Sequence, residues 1–302
     1  IIEIYDDPLA DTTSIPIYFL SKLANDQNIK VVLNGDGADE IFYGYNNFFK
    51  YLKYFHYYKA FSRLPKYIKS SLHKFINSLY PGSPAVEILD RMVKNQEFYW
   101  PGATSIKESE KNGLLTSSFK SRVGKYSSYE YVEQLKNQYF NFNKNTKDII
   151  DLVDWMSYSS YCHSDIELFL NRSDRLGMAN SIESRSPFLN IDMIELALSI
   201  PSEYKIKGNI PKYILKKSLE RILPKDVLYR KKMGFCAPIN EWAVDTIIPY
   251  VDINLKSFTS NYDIFDKSTI KEQIDQIKKG NSNYTNNIWT IFYLMHWFNK
   301  WQ

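Results

Sequence analysis

Apolar residues recur at helical spacing over most of this chain, and strand-like runs are scarce. Pro16 to Leu23 reads as a helix, with Ile17, Leu20, Lys22 and Leu23 leading into the polar turn Asn25-Asp26-Gln27-Asn28. Ile29 to Leu33 follows as a short β-branched apolar run, the pattern of a buried parallel strand. It stops at Asn34-Gly35-Asp36-Gly37-Ala38-Asp39-Glu40, after which apolar Ile41 and Phe42 resume. Strand, glycine-bearing acidic turn, helix is half of an α/β unit, and open α/β sheets bind ligands at the carboxyl ends of their strands. Phe48 to Asn77 predicts helices broken near Pro65, and Pro81-Gly82-Ser83-Pro84 predicts a turn. From Pro101 to Ser128 the composition shifts to Ser, Lys and Gly with weak periodicity, so loops or a variable insertion are expected. Helical patterning resumes at Lys147, persists through Asp165–Met178, breaks at Glu183–Leu189 and returns over Met193–Leu198. A further helix is expected at Lys212–Ile222, before Pro224, then a basic loop at Arg230–Phe235, then two closing helices. The expected content is mainly helical, with no internal repeat.

A chain of 302 residues, 44% hydrophobic and 24% charged, can bury one large core or two medium ones without a disulfide or metal staple. Lys plus Arg number 38 against 34 Asp plus Glu, too small an excess for a nucleic-acid footprint. Cys162 and Cys236 stand far apart, which argues for free thiols in a reducing compartment and against a disulfide framework or a Cys-based zinc site. The longest apolar stretch, Ile288 to Trp301, is interrupted by His296, Asn299 and Lys300 and is too short to span a bilayer. No charged leader opens the sequence, so a cytoplasmic location is expected. The first residue is Ile1, and a piece of a longer polypeptide is the expectation. The run Lys50–Lys74 mixes Lys, Tyr and Phe and has the look of an RNA- or membrane-contacting helix. Its aromatics at Phe48, Tyr51, Tyr54, Phe55, Tyr58 and Phe61 cover more than one helical face, which packing explains better; neither nucleic acid nor membrane is expected as a partner.

Chemistry concentrates in two places. Asp36 and Asp39 sit three apart where a strand becomes a helix, beside Gly35 and Gly37. Glycines let a ligand approach the backbone, and a helix N-terminus favours an anion. Carboxylates facing a phosphate need a bridging cation, and Mg²⁺ takes one or two carboxylates plus phosphate oxygens. The same spacing serves equally well for capping the helix. It is not a dinucleotide fingerprint, because the third glycine position holds Glu40. Arg230-Lys231-Lys232 before Gly234 can clamp a polyphosphate, although a solvated basic loop fits the same residues. Glu183 and Arg185 read as a buried structural pair, and Asp174 and Arg175 as structural residues at a helix end. His56, His73, His163 and His296 lie at no metal-ligand spacing.

Together these segments resemble the synthetase domain of the glutamine-dependent asparagine synthetase family. The family's Asp-Glu-Pro-x-Ala-Asp-x-Ser segment is matched by Asp6 to Ser14, and its Ser-Gly-Asp/Glu-Gly-x-Asp-Glu-x-Phe-Gly-Gly-Tyr turn by Asn34 to Tyr45. Its Asp-Arg-x-x-Met-Ala-x-Ser-x-Glu-x-Arg-x-Pro-Phe-Leu segment falls on Asp174 to Leu189, and its Arg-x-Lys-x-Gly-Phe-x-x-Pro-x-x-x-Trp segment on Arg230 to Trp242. The resemblance covers almost the whole chain and is weakest between about Asn46 and Thr146.

The resemblance implies an α/β, mainly helical fold: the C-terminal part of an ATP-pyrophosphatase (adenine nucleotide alpha-hydrolase-like) domain with a truncated parallel sheet. Residues 1–45 would form its nucleotide-proximal part, 46–146 a helical and variable region, and 147–302 a helical C-terminal part. It implies ATP and Mg²⁺ as cofactors, aspartate or another carboxylate such as a sugar uronate as acceptor, and ammonia from glutamine. A homodimer is compatible with it. Asn34, Gly35 and Gly37 would then be ATP-binding, Asp36 the acid tied to forming and aminolysing the acyl-adenylate, and Asp39 the Mg²⁺ ligand. Tyr45 would line the substrate site, and Lys232 would stabilise the pentavalent α-phosphorus. Asn34 stands where the family has Ser, and Tyr43 where it has Gly. The family's Ser-Gly-Gly-x-Asp-Ser-Ser loop and its glutaminase domain have no counterpart in these residues, so the chain alone is expected to be inactive. A catalytically dead binding module is the reading from another class.

Overall fold

The computed structural model describes residues 1–101, 105–124, 127–142, 152–162 and 168–302. The expected helical onset at Lys147, the first residues of the segment from Asp165 (165–167) and His163 lie outside the described residues. Two short helix–strand units organise the chain. Helix α1 (Ile2–Tyr5) and helix α2 (Ser14–Asp26) precede strand β1 (Val31–Leu33), which leads into the one-turn helix α3 (Ala38–Ile41). After β1 the chain runs through a long helical excursion: α4 (Asn46–Ser62), α5 (Lys66–Leu79), α6 (Pro84–Lys94), α7 (Glu108–Leu114), α8 (Ser117–Val123), α9 (Tyr129–Phe142) and α10 (Leu152–Ser160). It then returns as α11 (Leu170–Met178) and strand β2 (Glu183–Arg185).

β1 and β2 pair in parallel, with Val31 opposite Glu183, Val32 opposite Ser184 and Leu33 opposite Arg185. α2 and α11, the helices that precede the two strands, pack on one another. Gly177 allows the close return from α11 into β2, since a Cβ there would lie 2.7 Å from the carbonyl oxygen of Ile182. The parallel strand is therefore found where the apolar run predicts it, but it is not buried. Leu33 is 73% exposed and Val31 42%. β1 has one hydrogen-bonded neighbour among the described residues, and a central position in a sheet is what would bury such a run. Glu183 and Arg185 also depart from expectation. Their ion pair is made, at 2.8 Å, but both side chains are more than half exposed because β2 turns Ser184, not its neighbours, inward.

Three apolar clusters hold the helices. An aromatic one joins Phe48 of α4, Phe98 and Tyr99, Tyr129, Val132 and Leu135 of α9, and Trp155 and Met156 of α10. A small one, Ile41, Phe42 and Ala197, seats α3 against α12 (Ile191–Ser199). The largest is built by α16 (Ile239–Trp242), α17 (Ile248–Asn261), α18 (Lys267–Lys278) and α19 (Thr285–Trp301). Between α12 and α16 lie the short helices α13 (Ser202–Lys205), α14 (Tyr213–Leu219) and α15 (Lys225–Leu228).

Three expectations about elements are corrected. The Ser/Lys/Gly-rich stretch after Pro101 contains α7 and α8, and Thr116 caps α8 by accepting from the Phe119 amide. The end of the chain holds three long helices and not two, with a π turn at Ala243–Ile247 just before Pro249, whose missing N–H interrupts the α ladder. In α4, Phe48, Tyr51, Phe55 and Tyr58 pack inward as expected, but Tyr54, Tyr57 and Phe61 face solvent. No helix among the described residues is long and apolar enough to cross a membrane.

Candidate active site

The loops after β1 and β2 meet at the strands' carboxyl ends, and Asn34 ties them together. Its amide nitrogen donates to the carbonyl of Arg185 at 2.9 Å, extending the ladder by one residue. Its side chain donates to Ser184 Oγ at 2.9 Å, while its Oδ1 accepts from Ser186 Oγ at 2.7 Å and from the Asp36 amide at 3.1 Å. That last bond folds the chain into an Asx turn and points Asp36 away from the strand. Gly37 follows at φ 90°, at the N-cap of α3, where a Cβ would come within 2.3 Å of Leu189 Cδ2. Among the described residues, Gly35 has nothing within 4 Å of the place a Cβ would occupy, which leaves its backbone open to a ligand on that side.

α3 presents Asp39 between two ammonium groups. Lys232 Nζ donates to Oδ2 at 2.5 Å, and Lys212 Nζ lies 2.9 Å from Oδ1. Burial pushes the Asp39 carboxyl upward, but the charges of Lys212 and Lys232 and their hydrogen bonds prevail and hold it below its ordinary range. Lys212 itself has a left-handed backbone, φ 54° and ψ 37°, an uncommon conformation for a non-glycine residue. Gly44 is required here. A Cβ on it would fall 1.7 Å from Asp39 Oδ1 and 2.2 Å from Lys212 Cε. Lys232 also sits 5.6 Å from the centroid of the Tyr45 ring.

Asp36 is held from α11. Ser173 Oγ donates to Asp36 Oδ2 at 2.9 Å, and Arg172 Nη2 stands 3.9 Å from Oδ1. The buried Arg172 guanidinium also pairs with Asp11 Oδ2 at 2.9 Å and bonds Thr13 Oγ1, linking the Asp6–Ser14 segment to the acidic turn. Arg175 likewise clamps Tyr5 O and Asp6 Oδ1. From the other side, the indoles of Trp289 and Trp297 in α19 donate to the carbonyls of Ala10 and Asp6. The Asp6–Ser14 segment is thus a brace between α11 and α19. Beneath Asp39, Glu40 is fully buried. The Tyr45 hydroxyl donates to its Oε1, and its Oε2 has no partner among the described residues. Burial raises the Glu40 carboxyl to about 7, with the neighbouring Asp39 charge pushing the same way and the Tyr45 bond opposing.

A cavity of about 1050 Å³ opens at this point. Asn34, Gly35, Asp36, Gly37, Asp39, Tyr45 and Lys232 all line it, so the structure gathers every residue singled out for ATP, metal, substrate or catalysis onto one wall system. Glu183 and Arg185 lie outside it. Arg230 and Lys231 are exposed on the loop and do not reach Asp39. Sequence reasoning passed over Lys212, Arg172, Ser173 and Glu40. Lys212 belongs to no recognisable motif, whereas Arg172 and Ser173 directly precede the matched Asp174 segment, and Glu40 stands beside Asp39. No group of three or more His, Cys, Asp or Glu among the described residues is arranged to hold a metal ion by itself. Asp39 alone, kept ionised and facing the cavity, suits a cation that takes its remaining ligands from phosphate. What the arrangement can do chemically is bind a polyanion over an open glycine backbone, with one cation able to leave its carboxylate for it.

Comparison with known proteins points the same way. The family model described as asparagine synthase matches residues 1–299. Glutamine-hydrolysing asparagine synthetase 1 of Bacillus subtilis (strain 168) is 32% identical over 295 residues, covering 97% of this chain and 44% of that protein. Glutamine-hydrolysing asparagine synthetase 3 of the same organism is 47% identical over 66 residues, 22% of this chain and 11% of its own length. A glutamine-hydrolysing asparagine synthetase 1 from Lotus japonicus is 28% identical over 186 residues, 59% of this chain and 30% of its own. The chain therefore spans less than half the length of the B. subtilis relative that it matches almost end to end.

Proposed function

Since this chain belongs to the asparagine synthase family, we propose that it is part of an ATP-dependent carbon–nitrogen ligase that converts the side-chain carboxylate of aspartate into an amide with ammonia released from glutamine. The observation that carries this reading is Asp39 bracketed by Lys212 and Lys232 on a cavity it shares with Asp36, at the carboxyl ends of two parallel strands. A carboxylate is a poor electrophile until its oxygen is esterified. In the first step an aspartate carboxylate oxygen attacks the α-phosphorus of ATP, and the bond to pyrophosphate breaks. Lys232, on a flexible stem, turns from Asp39 Oδ2 to the phosphate oxygens and offsets the charge that builds as pyrophosphate leaves. Lys212 stays on Oδ1 and keeps the Asp39 carboxyl ionised.

In the second step ammonia attacks the activated carbonyl carbon and AMP departs, leaving the amide. The nitrogen becomes cationic as it bonds, and Asp36, held by Ser173 and Arg172, takes a proton from it. Asn34, Gly35 and Gly37 would offer backbone to the nucleotide, and Tyr45 would border the acceptor. Mg²⁺, with Asp39 as its protein ligand, would neutralise pyrophosphate charge when bound. The test is exchange of labelled pyrophosphate into ATP, dependent on aspartate, by the full-length protein. Lys232→Ala is expected to lower it by about 10²–10³-fold while circular dichroism shows the fold retained, because Lys212 still pairs with Asp39. Unchanged exchange in that variant would remove Lys232 from the reaction.

A further inference from the structure

Between Ile41 and Val86 the chain carries seven Lys or Arg residues and no Asp or Glu. The whole chain has a net charge of +4, so this region holds more than the entire excess and the remainder is net acidic. Lys69 is buried, donating to Asn95 Oδ1 at 3.0 Å. The other six, Lys50, Lys53, Lys59, Arg63, Lys66 and Lys74, are exposed and have no carboxylate partner among the described residues.

The same two helices expose large apolar side chains at helical spacing. On α4, Tyr54, Tyr57 and Phe61 follow Lys50 at intervals of four, three and four. On α5, Ile68, Phe75 and Leu79 stand seven and four residues apart and are 38%, 60% and 53% exposed. Core packing does not account for them, because α4 meets the aromatic cluster with Phe48, Tyr51, Phe55 and Tyr58 instead. Outward Tyr, Phe and Leu side chains flanked by lysines that have no carboxylate partner among the described residues match a surface that is apolar just below a layer of negative charge.

We propose that the exposed faces of α4 and α5 adsorb to anionic lipid surfaces, holding the protein at a membrane without crossing it. Two features favour lipid over nucleic acid. Exposed aliphatic Ile68 and Leu79 add nothing to base stacking, and the cations are almost all Lys, the residue less suited to planar recognition of bases and phosphates. Each lysine near such a surface contributes modestly, and the attraction falls off within a Debye length.

The experiment is co-sedimentation of the full-length protein with vesicles of phosphatidylglycerol and phosphatidylcholine, against pure phosphatidylcholine. Binding is expected to the mixed vesicles only and to fall with added salt. Lys59→Ala with Lys66→Ala should weaken it roughly thirtyfold. Phe75→Ser with Leu79→Ser should weaken it by at least tenfold while leaving the melting temperature unchanged, since both side chains face solvent. Absence of binding by the full-length protein, as when another segment of it covers these helices, would overturn the proposal. So would equal binding to pure phosphatidylcholine vesicles, tighter binding to single-stranded RNA through the same residues, or self-association that those substitutions abolish.

Discussion

Glu40 carries an ionisable group where water does not reach, and its behaviour follows from that position. Its carboxyl titrates near 7 in the folded chain against an ordinary 4.5, so between those values the folded state binds the extra proton. Stability therefore falls as pH rises from about 4.5 to about 7 and is level above, once Glu40 is ionised in both states. Glu40→Gln keeps the shape and still accepts the Tyr45 hydrogen bond but has no proton to lose. The variant is expected to match the parent chain at about pH 4 and to exceed it by roughly 2 kcal/mol at about pH 8, read from urea midpoints. An equal urea midpoint shift at both pH values would mean that Glu40 does not titrate in this range. Asp39, one residue earlier, behaves oppositely: two lysines keep it ionised, so its contribution is present at neutral pH and lost on acidification through its lowered range. Adjacent carboxyls on one turn of helix thus hold opposite protonation tendencies, one facing cations and the other facing carbon.

Among the elements, α3 is four residues long and could not persist without its surroundings. Gly37 and Gly44 bracket it, and each is where a side chain would collide with something the site needs. Gly44→Ala is expected to displace Asp39 or Lys212, cost about 1–3 kcal/mol in thermal or urea unfolding, and reduce pyrophosphate exchange by more than tenfold. Retained exchange would show that the Asp39–Lys212 contact is dispensable. The acidic turn and the strand before it were legible because both are local: a β-branched run, then glycines and carboxylates. The exposure of β1 was not, since an apolar run reports its preference for burial and not how many neighbours it obtains. The same limit misjudged Glu183 and Arg185, whose charge pattern says that they pair but not which way β2 faces. α7 and α8 were missed because caps and short ion pairs, such as Lys111 with Glu108 at 3.3 Å, stabilise helices too brief for periodicity to register.

For the whole molecule, the site is assembled from four distant stretches of sequence: Asp11, the Asn34–Tyr45 turn, Arg172 with Ser173, and Lys212 with Lys232. Spacing alone brought forward the acidic turn and the basic loop as separate candidates, and only the family resemblance joined them. Lys212, which no motif marks, appears only once the chain is folded. The scattering has a kinetic counterpart. Asn34 and Ser184 are 150 residues apart and Asp39 and Lys232 are 193 apart, whereas the helices between them are local. Closing loops of that size is slow relative to forming helices, and the reward of two three-residue strands is small. On dilution of the full-length protein from denaturant, far-UV circular dichroism should recover ahead of both the strand contact and pyrophosphate exchange, leaving a helical intermediate with the acidic turn unformed. Simultaneous recovery would mean that the short sheet nucleates the fold. Otherwise the candidate site is the last part of the molecule to exist, and the first to be lost when the chain is perturbed.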